Sequence, residues 1–208
     1  RTALPLWSAS WSLVEDARKS GRAADAEKLL ARLRPLLAEA RADYALRFAW
    51  QSALLAIAQG RLAQAGQFAV EIDRRLENLP ADPALSELRK AVPELRGHAA
   101  LLKARTALNA GSAQGLDELV TLRRRFGKVP AAAASYLVEG RHLASVGRHA
   151  DAQDRFEALA KDFGGEPSLA DFASLGLYEA SEQAALQAPT AGEGIGRASC
   201  RERVFRAV

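Results

Sequence analysis

The sequence predicts an all-α chain built from antiparallel helix pairs, and three observations carry that prediction. Ala and Leu dominate the apolar residues, while Val, Ile and Thr are sparse and scattered and aromatics are only 6% of the chain. Ala and Leu favour helix, whereas a sheet needs β-branched and aromatic residues. Apolar residues recur at helical spacing through most of the chain. One grammar also recurs at four places: an Ala/Leu-rich helix, a short turn at Gly-Arg or Gly-Ser, then a second helix. At 208 residues, with 49% hydrophobic and 26% charged, the chain has enough apolar material for a core and is not of the disordered class.

The spacing places helices near residues 6–19, 23–34, 36–59, 62–78, 83–91, 94–110, 113–125, 130–146, 149–163 and 168–186. The first follows Pro5 and carries Trp7 and Trp11 four residues apart, hence on one face. It ends at Gly21, and the second helix brings Ala26, Leu30 and Leu33 to one side. Pro35 breaks or bends the chain before the third helix, which carries Ala49, Ala53 and Ala56 and turns at Gly60. The fourth holds Ala65, Ala69 and Ile72 and stops before Pro80. In Pro80-Ala81-Asp82-Pro83, Asp82 is placed to cap a helix N-terminus and Pro83 to occupy its first position. Pro93 starts or kinks the next helix, which carries Ala100, Ala104 and Ala107 and turns at Gly111. A further pair runs from Tyr136 to Gly164 and turns at Gly147. After the loop Gly164-Gly165-Glu166-Pro167, the residues Phe172, Leu175, Gly176 and Glu179 begin another unit, which gives out at Ala188-Pro189-Thr190-Ala191-Gly192.

The turn glycines have a physical reason. The residue after a helix end often takes a left-handed conformation in which a Cβ is costly. Five residues later stand Ala26, Ala65 and Ala152. The small side chain suits a close crossing of the two helices. In the third unit Leu116 stands at that position, so this unit is the poorest copy. The glycines are 39, 51 and 36 residues apart, so the middle interval calls for longer helices or an inserted turn between Leu79 and Gly97.

The unit from Tyr136 to Gly164 resembles the tetratricopeptide repeat, whose units average about 34 residues. Tyr136 matches the large aromatic of the first helix, Gly140 the small contact residue, Gly147 the turn, Ala152 the close-packing Ala and Phe156 the core plug. Leu159 and Ala160 follow on the same face. Leu143 replaces the usual Tyr, Glu139 stands where Leu is usual, and Pro167 comes late. The resemblance implies a right-handed α-solenoid of about four repeats plus a truncated one over residues 1–187. It further implies a concave groove to which the first helices contribute Trp11, Glu15, Arg18, Arg47, Trp50, Leu54, Arg105, Asn109, Arg141 and Ser145. These mixed polar, basic and aromatic residues suit a peptide or helix of a protein partner. The three Trp residues fit either core or groove. The longer units are also similar to the helical sensor regions of large ATP-dependent transcription activators and multidomain kinases. There the same helices would couple a ligand to a signalling domain.

Residues 188–208 form a tail of different character, expected to be disordered. The segment Ile195-Gly196-Arg197-Ala198-Ser199-Cys200-Arg201-Glu202-Arg203-Val204 resembles the in-frame translation of a sequencing adapter, which implies that residues 195–208 are not native. That tail holds the only Cys and carries a net charge of +3 from Arg197, Arg201, Arg203 and Arg206 against Glu202; the whole chain is +4, which leaves about +1 for residues 1–194. The basic balance therefore gives no reason to expect a nucleic-acid partner. Without a native Cys there is no disulfide or thiolate metal site. Met is absent, so the chain reads as a fragment of a longer protein, and its Ala/Arg/Leu-rich usage suggests a bacterial source. The compartment stays open, with the cytoplasm favoured.

No enzyme is expected. His98, His142 and His149 are read as lacking a Glu or second His at metal spacing on their helix faces. Gly164-Gly165 lacks the Lys-Ser/Thr of a phosphate loop, and no Ser stands in a nucleophile elbow. No catalytic, metal or cofactor residue is named. No apolar run is long enough to span a bilayer. Arg123-Arg124-Arg125-Phe126-Gly127-Lys128 is read as a helix C-terminus whose cations suit the dipole, or as a contact for an acidic partner. Finally, a chain ending near Gly165 is expected to be at least as soluble as one ending at Gln187.

Overall fold

A computed structural model describes residues 3–187, and among these every regular element is helical. The expectations for residues 188–208 lie outside the described residues. The α-helices are α1 (Ala3–Lys19), α2 (Ala23–Leu33), α3 (Ala42–Ala58), α4 (Leu62–Glu77), α5 (Ser86–Lys90), α6 (Val92–Asn109), α7 (Gln114–Phe126), α8 (Pro130–Ser145), α9 (His149–Phe163) and α10 (Ala170–Gln187). Most ends agree with the sequence reading within a few residues. Pro35 has the largest effect: it directs Arg34–Glu39 into a 3₁₀ segment, so α3 starts at Ala42 rather than near residue 36. Pro83 and Pro167 likewise open short 3₁₀ turns ahead of α5 and α10. Asp82 caps as expected, its side chain accepting from the Ala84 N–H at 2.9 Å.

Four turns make the pairs α1/α2, α3/α4, α6/α7 and α8/α9. At Gly21, Gly60, Gly111 and Gly147, φ lies between 71° and 81°. In each turn the N–H after the glycine reaches back across it: Arg22 to Ala17 O and Arg61 to Ala56 O at 2.8 Å, Ser112 to Ala107 O and Arg148 to Leu143 O at 2.9 Å. That bond satisfies a carbonyl the helix end would otherwise leave unpaired. Gly147→Ala is expected to lower stability by about 1–2 kcal/mol in denaturant titration, because the Cβ is strained in the left-handed region. Gly165→Ala should change stability far less, because an added Cβ there meets nothing within 4 Å and φ lies outside the left-handed region.

Within each pair the crossing residue is small. Ala26, Ala65 and Ala152 are fully buried. In the third pair the expectation at Leu116 is corrected: Leu116 is only half-buried, and Gly115 makes the close contact. A Cβ at Gly115 would lie 2.6 Å from the Leu108 side chain and 2.9 Å from the Ala104 carbonyl. In this pair α7 begins three residues after the turn glycine, against two in the other pairs, and the crossing residue stands four residues after the glycine rather than five. In the fourth pair Gly140 faces the Phe156 ring, where a Cβ would come within 2.4 Å. Phe156 is 0% exposed and fills a core shared with Leu122, Leu137, Leu159 and Phe163.

Successive pairs pack on one another: α3 against α1 and α2, α8 against α6 and α7, and α10 against α8 and α9. The second-to-third junction differs, since α6 lies along α4 and its backbone barely approaches α3. The long interval between Gly60 and Gly111 is accounted for here by the inserted 3₁₀ turn and α5. The insert and the separation of α3 from α6 leave a hollow between the first two pairs and the third.

α10 reverses the solubility expectation. Gly176 lies so close to α9 that a Cβ would meet the Phe156 carbonyl at 2.8 Å and Leu159 at 3.1 Å, and Ala180 and Leu169 belong to the same core. Ending the chain near Gly165 removes this cover from Phe156 and Leu159. Light scattering is therefore expected to show more aggregation for the shorter chain than for one ending at Gln187.

Candidate functional site

The hollow is a cleft of about 680 Å³. Its floor is apolar, made by Leu46 of α3, Ile72 and Leu76 of α4 and Leu95 of α6, with Leu88 of the inserted α5 at one side. Its walls are aromatic and charged: Trp11, Ser12 and Glu15 of α1 face Asp43, Tyr44, Arg47, Trp50 and Gln51 of α3. The aromatic wall is anchored from behind. Trp7 is buried and stacks on Tyr44 at 5.2 Å with an interplanar angle of 3°, and on Trp11 at 5.4 Å. Trp50 stands edge-on to His98 at 6.3 Å, the aromatic bridge between α3 and α6. Trp7 is thus a core residue, whereas Trp11 and Trp50 belong to both packing and cleft.

Two wall residues carry unsatisfied groups. Trp11 is 4% exposed and Gln51 8% exposed, yet the Trp11 Nε1 donor and the Gln51 Oε1 acceptor have no hydrogen-bond partner among the described residues. Each such buried group costs about 1–3 kcal/mol.

The charges at the cleft are unequally paired. Glu15 bonds Lys19 at 2.7 Å. The Lys19 hydrogen bond and charge hold the Glu15 carboxyl below its usual range, and Arg18 and Arg47 add to this. Asp43 receives two bonds from Arg41, at 2.6 and 3.0 Å. Burial pushes the Asp43 carboxyl up, but the Arg41 contacts together with the backbone N–H groups of Asp43 and Tyr44 outweigh burial and its pKa is lowered. Arg47 is exposed and has no direct ion pair among the described residues.

Of the ten groove residues expected from the sequence, Trp11, Glu15, Arg47 and Trp50 line this cleft. Arg18 is close enough to lower the pKa of Glu15, and its Nε is buried without a partner. Leu54 is half-buried on α3 outside the lining. Arg105 and Asn109 are exposed at the far end of α6. Arg141 is held by Glu179 of α10 through bonds at 2.6 and 2.9 Å, and Ser145 bonds the His142 carbonyl at 2.7 Å. Arg105, Asn109, Arg141 and Ser145 therefore lie apart from the cleft. Sequence reasoning missed Asp43, Tyr44, Gln51 and Leu88; for Leu88 the signal was the long interval between Gly60 and Gly111.

The basic run is not one surface patch. Arg123 is largely covered between α7 and α8, its side chain 13% exposed, bonded to Glu139 at 2.6 Å and to Ser135 Oγ at 3.2 Å, with its guanidinium over the Tyr136 ring at 4.4 Å. Lys128 pairs with Glu166. The histidine reading is also corrected: Glu94 stands one turn before His98 with its carboxylate 3.8 Å from Nε2, and His149 Nδ1 contacts Gln183 at 2.9 Å. Among the described residues no group of three His, Cys, Asp or Glu is placed to hold a metal. A smaller hollow of about 300 Å³ between α4, α6 and α7 is crossed by the Lys103–Glu118 pair at 2.8 Å. No described helix is long and apolar enough to cross a membrane.

Comparison with protein-family models, curated proteins and solved structures gives no match.

Proposed function

We propose that this chain is a tetratricopeptide-like interaction scaffold that holds a peptide or helix of a partner protein in the cleft between α1, α3, α4, α5 and α6. The observation that carries the reading is the cleft itself: an apolar floor, aromatic walls at Trp11, Tyr44 and Trp50, and a buried donor and acceptor left unsatisfied. Binding energy at such surfaces concentrates in a few aromatic and Arg anchors. A peptide group offers both a carbonyl for a Trp N–H and an N–H for a Gln oxygen. The repeated glycine turns and the close contacts at Gly115, Gly140 and the buried alanines support the family likeness and a rigid frame. Such a frame limits the ordering cost of association.

The test is retention of a partner by the immobilised chain. The wild type and Arg105→Ala are expected to retain the same protein, and Trp50→Ala and Leu88→Asp to lose it. Loss of a Trp anchor costs on the order of 2 kcal/mol, about 30-fold in affinity. Equal retention by all four proteins contradicts the cleft as the partner site.

A further inference from the structure

We infer that the occupant of this cleft is an acidic–apolar segment, one that places apolar side chains on the floor and a carboxylate against Arg47. The inference rests on the cleft being the partner site, and it comes from which charges on the walls are already paired and which is free. Glu15 and Asp43 are the acidic side chains of the lining, and each is already engaged, by Lys19 and by Arg41. Arg47 lines the cleft, is exposed and has no direct ion pair among the described residues. Arg18 lies within electrostatic reach of Glu15, as Arg47 does. Glu15 and Asp43 are thus neutralised by cations from outside the lining, Arg41 also feels Asp82, and Arg47 is the one charged lining residue left without a direct pair among the described residues.

The unpaired guanidinium decides between partners of opposite charge. A basic segment would face Arg47 while finding Glu15 and Asp43 occupied, and like charges brought together across an interface are costly. An acidic segment meets a free guanidinium whose planar fork suits a carboxylate. The floor of Leu46, Ile72, Leu76 and Leu95 requires apolar anchors beside that charge. A wholly acidic segment would leave the floor wet.

Selection from a random-peptide display library on the full chain tests this directly. Enriched peptides are expected to place Asp or Glu next to Leu, Phe or Trp. A fluorescent copy of an enriched peptide should bind less tightly as salt rises, and Arg47→Gln should weaken it about threefold, the scale of a partly exposed ion pair. Trp50→Ala should weaken it far more. Enriched peptides that need Trp50 but carry no acidic excess, or that bind Arg47→Gln unchanged, overturn the charge assignment and leave the cleft as the partner site. No enriched peptide that depends on Trp50 overturns both.

Discussion

Phe156→Ala is expected to cost this chain about 4 kcal/mol, because the ring is fully buried and large-to-small changes of Phe in a core cost about 3–5 kcal/mol. Phe156 ties α9 to three other helices. It occupies the notch left by Gly140 on α8, its own backbone on α9 receives Gly176 of α10, and its core includes Leu122 of α7. The notch makes a second, sharper expectation. Gly140→Ala should gain about 1 kcal/mol from helix propensity alone. A Cβ within 2.4 Å of the Phe156 ring should outweigh this, since overpacking costs about 1–3 kcal/mol. In a Phe156→Leu background the steric term is relieved, and Gly140→Ala should become neutral or stabilising. Urea titration of the four members of this cycle reads the coupling. Additive effects would show that Gly140 is not the notch for the ring.

Arg123→Met is expected to destabilise by about 3 kcal/mol, the low end of what removing one member of a buried pair costs. Arg123 and Glu139 are both more than four-fifths buried at the side chain. The change strands Glu139 in the α7–α8 junction and removes the guanidinium from Tyr136. Glu139→Met alone should cost a similar amount by stranding Arg123. The double change leaves no unpaired charge, so it should recover most of either loss. A double variant as unstable as the sum of the two would mean that the pair is not coupled. Arg124→Met, on the exposed neighbour in the same run, should change stability by less than about 0.5 kcal/mol.

These two expectations also show what could be read from the sequence and what could not. Gly140, Ala152 and Phe156 are legible because a local rule fixes them: helical spacing from Gly147 puts them on the facing sides of one pair. The Gly-Arg turns and the break at Pro80–Pro83 are legible for the same reason. Gly115 was missed because the crossing stands four residues after Gly111 rather than five, and a repeat frame carried over from the other units points to Leu116. Arg123 reads in the sequence as one of the cations at a helix C-terminus because burial depends on where α8 lies, not on the neighbours of Arg123 in sequence. The cleft depends on long-range geometry. A solenoid frame places first helices side by side and so gathers Arg105 and Arg141 with Arg47. In the structure α6 follows α4 instead, α5 is inserted beside it, and the hollow opens only between the first two pairs and the third. Arg141, offered by the sequence as a groove residue, pairs with Glu179 of α10.

The most direct measurement of the central claim is amide hydrogen exchange on the full chain, with and without a peptide selected by display. Binding in the cleft predicts slowed exchange over residues 11–18, 43–51 and 85–95, with Arg105, Asn109 and the Arg141–Ser145 turn unchanged. Protection centred on residues 105–109 and 141–145, with residues 43–51 unaffected, would contradict it.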